Sequence, residues 1–216
     1  MEPTAKDIAA QLRKPTGQLG RQVAEKMNES NRPMTSFTYD HLEVKPSDHV
    51  LEIGFGNGRL MPLLLDQHEV KMTGIDLSAE MVAWAKENNA DYLNRGSLRL
   101  MEGSVSALPF DDESFDSACS VNTFYFWEDA LKCAKEILRV LRPGGCLCLG
   151  VTPKEEMKQL PPTQFGFNLY EDEEIISILN QAGFQTIEKH KRMEAPVEIG
   201  GQSFQFHSMV IKGFKS

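Results

Sequence analysis

Glu52, Gly54, Gly56, Gly58 and Asp76 are the residues whose types and spacing most directly imply chemistry. The first four fall in Val50-Leu51-Glu52-Ile53-Gly54-Phe55-Gly56-Asn57-Gly58-Arg59, an apolar strand that stops at a glycine-rich turn and leads into a helix. Glycines at alternate positions let the chain turn tightly and let a ligand lie against the backbone with no Cβ in the way. Glu52 is an acid at the mouth of that strand, where a phosphate-binding loop rarely wants one. The combination points to a nucleoside with a cationic end rather than to a pyrophosphate. The G-x-G-x-G spacing also departs from the G-x-G-x-x-G of dinucleotide folds. Asp76, in Gly74-Ile75-Asp76-Leu77-Ser78, ends the next strand, where an acid can accept hydrogen bonds from a ribose diol and disfavours a ribose phosphate. Taken singly, the glycines could be only a tight turn and Asp76 an ordinary strand-end acid.

The elements that must position these residues alternate. Strands are predicted at 50–53, 71–76, 97–102, 117–121 and 146–151, with helices at 59–66, 78–88 and 128–141 between them. Strands alternating with helices imply a mainly parallel, doubly wound sheet. After the fifth strand, Lys154 to Tyr170 carries Pro161-Pro162 and reads as a mobile insertion. A helix at 171–181 follows, closed by Gly183. Strands at 184–192 and 204–212, joined through Gly200-Gly201, form an antiparallel pair. Before the sheet, 7–12 is weakly helical, Lys14-Pro15-Thr16-Gly17 breaks it, and 19–27 and 34–44 form two short helices either side of Pro33. The expected organisation is a Rossmann-like doubly wound seven-stranded α/β sheet over 47–216, with an antiparallel C-terminal strand. Residues 1–46 are expected to be a helical lid of the same domain.

A chain of 216 residues suffices for one such domain, and 41% apolar with 25% charged residues is ordinary globular composition. No apolar run reaches membrane-spanning length. The polar, acidic N-terminus lacks an apolar signal core, so a cytoplasmic location is expected. A net charge of −8 argues against a polyanionic partner. Cys119, Cys133, Cys146 and Cys148 lack ligand spacing and read as small buried hydrophobes, so no metal is expected.

Three further blocks follow in order: Glu102-Gly103-Ser104-Val105-Ser106-Ala107-Leu108-Pro109-Phe110, Asp111-Asp112-Glu113-Ser114-Phe115-Asp116, and Leu141-Arg142-Pro143-Gly144-Gly145. With the glycine turn they resemble the class I S-adenosylmethionine-dependent methyltransferases, and most nearly the type-11 branch, which is similar to ubiquinone and menaquinone biosynthesis methyltransferases. The resemblance is strong over about residues 48 to 152. It implies S-adenosyl-L-methionine as cofactor and S-adenosyl-L-homocysteine as product. It places Glu52 and the Gly54, Phe55 and Gly56 backbone at the methionine part, Asp76 on the ribose, Leu77 beside the adenine, Ser104 and Val105 at the adenine edge, and Asn122 near the transferring methyl. Many relatives carry an acid where this chain has Ser104.

Methyl transfer from a sulfonium is an in-line displacement in which the protein supplies orientation and water exclusion. A base matters only for a protonated acceptor. Tyr39, His41, Tyr125 and His207 are the candidates, and each also reads as a packing or surface residue. Asn122-Thr123-Phe124-Tyr125-Phe126-Trp127 sits where nucleic-acid amino-methylating enzymes carry Asn/Asp-Pro-Pro-Tyr/Phe, but both prolines are missing. Its aromatics are expected either to wall an acceptor pocket or to pack a helix onto the sheet. A small-molecule acceptor is the favoured expectation. A nucleic-acid or protein methyltransferase and a non-catalytic S-adenosylmethionine-binding protein are the alternatives.

Overall fold

A computed structural model describes residues 2–199 and 202–216. Helices α1 (Ala5–Arg13) and α2 (Gly17–Asp40) precede β1 (His49–Ile53), α3 (Pro62–Leu65), β2 (Lys71–Asp76), α4 (Ala79–Asn88), α5 (Ala90–Asn94) and β3 (Leu98–Glu102). There follow β4 (Phe115–Val121), α6 (Ala130–Val140), β5 (Leu141–Val151), α7 (Lys154–Met157), α8 (Asp172–Ala182), β6 (Gln185–Met193), β7 (Val197–Ile199), β8 (Gln202–Phe204) and β9 (His207–Phe214). Seven strands form one sheet in the order β3-β2-β1-β4-β5-β9-β6. β9 is antiparallel to both its neighbours, and the pairings of β1 to β5 are parallel. The expected Rossmann-like seven-stranded sheet with an antiparallel C-terminal strand is therefore the fold.

Local chemistry explains most boundaries. Thr4 and Asp7 cap α1 reciprocally, Ser78 and Asp129 accept from backbone N–H groups at the starts of α4 and α6, and Gly183 ends α8 at φ +109°. Two apolar layers flank the sheet. Leu51, Ile53, Leu147 and Leu149 face α6 and α8, while Val50, Cys119, Cys146 and Cys148 face the side that α2 covers. The alternation along β5 thus puts both its cysteines on one face, and all four cysteines are free and buried. Truncating a fully buried residue such as Leu51 to alanine would cost about 2–5 kcal/mol.

Three expectations need correction. First, the helices predicted at 19–27 and 34–44 are one helix, α2, with Pro33 inside it. Proline removes one backbone bond. The turns after it bury Met34, Thr35, Thr38 and Tyr39 against the sheet, and Thr38 Oγ1 donates to Met34 O at 2.8 Å. That packing outweighs the local break. Second, the insertion at 154–170 carries regular elements not expected there: α7 is followed by a helical turn at Pro161–Gln164, and Met157 and Thr163 are buried. Third, the stretch between the two C-terminal strands carries a small β7–β8 ladder, with Val197 opposite Phe204. The Gly200-Gly201 joint itself lies outside the described residues.

Candidate functional site

Strand order reverses between β1 and β4, and the chain leaves the carboxyl end of β1 through the glycine turn at that point. Gly54, at φ +74°, donates its N–H to Ile75 O at 2.8 Å, and a Cβ there would collide with the Thr123 side chain. A Cβ on Gly58 (φ +69°) would meet Asn89 and Ala85 of the following helices. Gly56, at φ +60°, has nothing within 4 Å of such a Cβ. The protein itself therefore demands two of these glycines sterically, whereas the open face of Gly56 is a cradle.

Two carboxyl groups flank that cradle. Asp76 is 8% exposed; its Oδ2 accepts from Gly56 N and its Oδ1 from Ser78 N, each at 2.9 Å. Burial pushes its pKa up to about 6, against the opposing pull of the Ser78 and Gly56 amides. Glu52 is 5% exposed, and its Oε2 has no hydrogen-bond partner among the described residues. Burial pushes Glu52 up to about 7; the Tyr39 hydroxyl opposes the shift and the charge of Asp76 adds to it. An orphaned buried carboxylate oxygen at a strand end suits a cationic ligand group.

The other expected contacts are brought to the same place. Leu77 is 45% exposed and presents an apolar surface at the edge of the site. Phe55 turns its ring into the core against Gly74, leaving only its backbone for a ligand. Ser104 spends its hydroxyl inside its own turn, within 2.9 Å of Ser106 Oγ, beside Val105. Asn122, at φ +53°, donates its backbone N–H to Gly150 O at 2.8 Å, and its side-chain amide donates to Asn31 Oδ1 at 3.1 Å.

Glu52, Gly54, Phe55, Gly56, Asp76, Leu77, Ser104, Val105 and Asn122 line one cavity of about 1280 Å³, which continues from the strand ends beneath α1 and α2. Tyr125, Phe126 and Phe167 wall it, with Phe126 and Phe167 rings 4.6 Å apart. Its roof is tied down at several points. Helix α1 packs on the Pro161–Gln164 turn. Arg13 pairs with Glu128 at 2.6 Å, Gly17 N donates to Glu80 Oε2 at 2.8 Å, and Ser78 Oγ donates to Pro15 O at 2.9 Å.

The four candidate bases separate clearly. Tyr39 lies buried beside Glu52 rather than at the cavity wall. His41 meets Phe37 edge-on and lies tilted against His190, and its Nδ1 lies 2.7 Å from Phe37 O. Tyr125 does line the cavity, but its hydroxyl donates to Thr152 O and accepts from Thr152 N, and burial raises its pKa far above the usual phenol value. His207 lines the cavity with Nδ1 2.7 Å from Glu156 Oε1. Sequence reasoning missed Glu156, Asn31 and Thr123, because each reaches the site through tertiary contacts that spacing does not reveal. Among the described residues no His, Cys, Asp and Glu side chains gather as a metal site. No helix among them is long and apolar enough to cross a membrane.

Comparison with known proteins agrees with the fold. A family model described as a methyltransferase domain (Methyltransf_11) matches residues 51–149. The uncharacterized methyltransferase YdaC of Bacillus subtilis is 30% identical over 164 residues, covering 75% of this chain and 85% of the relative. The O-methyltransferase resE of Aspergillus sclerotiorum is 26% identical over 215 residues, covering 87% and 79%. Among solved structures, the methyltransferase in complex with the Haloferax volcanii Trm112 activator superposes with a TM-score of 0.77 at 21% identity, over 99% of this chain and 98% of that one.

Proposed function

This chain belongs to the class I S-adenosylmethionine-dependent methyltransferases of the type-11 branch, with S-adenosylmethionine as cofactor, and we propose that it methylates a small molecule held in the cavity beneath α1 and α2. The observation that carries the acceptor class is the roof. Helices α1 and α2 and the turn at Pro161–Gln164 cover the strand ends, and the space under them is walled by aromatic and aliphatic side chains. A folded protein or a nucleic-acid duplex would have to displace that roof; a small apolar molecule would not.

The residues fit the cofactor. Glu52, with its unpartnered oxygen, takes the ammonium end, and the open face of Gly56 lets the methionine part lie on backbone. Asp76 receives the ribose hydroxyls, Leu77 covers one face of the adenine, and the Ser104–Val105 turn meets its edge. Asn122 stands at the methyl end, beside the aromatic wall. The cofactor supplies an activated methyl group, so the chain's own task is to align the acceptor in line with it and to keep water out. The 1–46 segment acts as a lid that belongs to the same domain. The four free, buried cysteines suit a reducing compartment such as the cytoplasm.

The test is a screen of fractionated metabolite pools with the purified protein, reading S-adenosylhomocysteine release. Release from a low-molecular-weight fraction is expected. Release only with protein or nucleic-acid fractions would overturn the small-molecule reading, and tight cofactor binding without release from any fraction would indicate a non-catalytic binder.

A further inference from the structure

Glu156 and His207 stand 51 residues apart in the chain yet meet beyond the carboxyl end of β5. Val151, the last residue of β5, pairs with Met209, so His207 projects two residues past the strand's end. Glu156 approaches from α7, which Lys154 anchors to α8 through Glu171 at 3.3 Å and Glu174 at 3.6 Å. The Glu156 carboxylate is used completely on His207. Oε2 accepts from the backbone N–H at 2.6 Å and Oε1 from Nδ1 at 2.7 Å. The ring is thereby held in one orientation with its proton on Nδ1. Nε2 has no protein partner among the described residues and, in the neutral ring, carries the lone pair, while the side chain is 25% exposed at the cavity wall. Glu194, which also lines the cavity, is already paired with Arg192 at 2.9 Å.

We propose that His207, positioned by Glu156, is the general base for a hydroxyl group on the methyl acceptor, which makes this enzyme an O-methyltransferase for alcohols or phenols with an apolar body. The inference rests on the small-molecule reading above. A tie between α7 and β9 needs only the backbone bond to Glu156; it gives no reason for a carboxylate that fixes the tautomer of an imidazole facing a cavity. Carboxylate, imidazole and hydroxyl in sequence is the arrangement that activates a weak oxygen nucleophile. Neutral amines and thiolates methylate without such help, whereas a neutral hydroxyl needs its proton removed. The acceptor O–H passes its proton to Nε2 as the oxygen bonds to the transferred methyl carbon. The carbon–sulfur bond breaks with its electron pair left on sulfur as the thioether, and the imidazolium, facing the Glu156 carboxylate, then releases its proton to water. Tyr125, Phe126 and Phe167 supply the apolar wall against which the body of the acceptor packs.

The experiment uses a panel of phenols and primary alcohols with matched anilines and thiols, and reads S-adenosylhomocysteine release by the wild type, His207→Ala, His207→Gln and Glu156→Gln. Turnover of hydroxyl compounds is expected. His207→Ala should lower kcat by about 100-fold or more with little change in KM, in the range of a lost general base. Added imidazole should restore part of it. Cofactor affinity by calorimetry should be unchanged in all variants. Glu156→Gln should lose the Nδ1–H tautomer of His207 in ¹⁵N NMR together with much of the rate. Hydroxyl turnover that survives His207→Ala, a loss explained by lowered Tm and not rescued by imidazole, or a panel in which only anilines or thiols, or nothing, react would each overturn the assignment. An acceptor without a hydroxyl group found in the metabolite screen would sink the base while leaving the small-molecule reading intact. A screen with no small-molecule release would sink the reading itself.

Discussion

The Tyr39 hydroxyl and the Glu52 carboxyl meet beneath the glycine turn, and the Tyr39 Oη and Glu52 Oε2 atoms are both buried without a hydrogen-bond partner among the described residues. One comes from the helix that roofs the site and the other from the strand that floors it. Burial is the largest cause of the upward shift of both groups; the Glu52 charge adds to it at Tyr39, whereas the Tyr39 hydroxyl opposes it at Glu52. A buried, imperfectly satisfied carboxyl is costly to the fold on its own and useful once a cation arrives.

That relationship sets a pH dependence. With its pKa pushed up to about 7, native Glu52 holds a proton over a range in which the unfolded chain, at the ordinary 4.5, has lost it. The native state therefore binds more protons between those values, and stability falls as pH rises through this window. The loss is up to about 3 kcal/mol. Asp76, raised from 3.8 to about 6, acts in the same direction over a lower window. Thermal melts of the cofactor-free protein should show Tm decreasing from about pH 5 to about pH 8, with a shallower slope in Glu52→Gln. Cofactor binding near neutrality should release protons, seen as a buffer-dependent heat. A Tm that climbs with pH across this window would contradict the burial of Glu52.

The glycines of the turn divide by what demands them. Gly54→Ala drives a methyl into Thr123 as well as straining a positive φ, so it should cost clearly more stability than Gly56→Ala, whose new methyl enters open space. The backbone cost at Gly56 alone is about 1–2 kcal/mol. Gly56→Ala should nonetheless lower cofactor affinity by roughly tenfold or more, because the methyl occupies the cradle. Differential scanning calorimetry and titration calorimetry separate the two effects, and unchanged affinity in Gly56→Ala would place the cofactor elsewhere.

Asp76→Ala removes the acceptor proposed for two ribose hydroxyls. Hydrogen bonds to a charged group are worth about 1.5–3 kcal/mol each, so affinity should drop by about 100-fold or more. The carboxylate also holds the Gly56 and Ser78 amides, which makes Asp76→Asn a necessary companion; it keeps one acceptor and should lose less. Native circular dichroism with unaltered affinity in Asp76→Ala would remove this residue from the site.

The residues proposed for the cofactor could be picked out in the sequence because they are local. Glu52, Gly54, Gly56, Asp76 and Leu77 lie at the ends of two successive strands, and Ser78 caps the helix that follows. The acceptor half could not be, because tertiary packing builds it. Helix α2 runs through Pro33 where local rules end it, since four buried residues beyond the proline outweigh one lost backbone bond. The His207–Glu156 contact joins β9 to a segment whose prolines read as a mobile insertion. No periodicity in either stretch announces the other.

The roof yields the last prediction. The Asn122 side-chain amide donates to Asn31 of α2, so the residue proposed to stand beside the cofactor also holds the cover. The break between α1 and α2 at Pro15-Thr16-Gly17 has a glycine at φ +61° with open space around it, a natural hinge. If 1–46 acts as the proposed lid, motion there would open the cavity as the ties to Glu80, Glu128 and Asn122 release, and closure over bound cofactor would re-form them. Limited proteolysis should therefore cut residues 10–45 and 155–170 first in the free protein and more slowly with S-adenosylhomocysteine bound. Asn31→Ala should raise the cutting rate of the bound form toward that of the free form. Cleavage of both segments at the same rate with and without ligand would show that they are a fixed wall and not a lid.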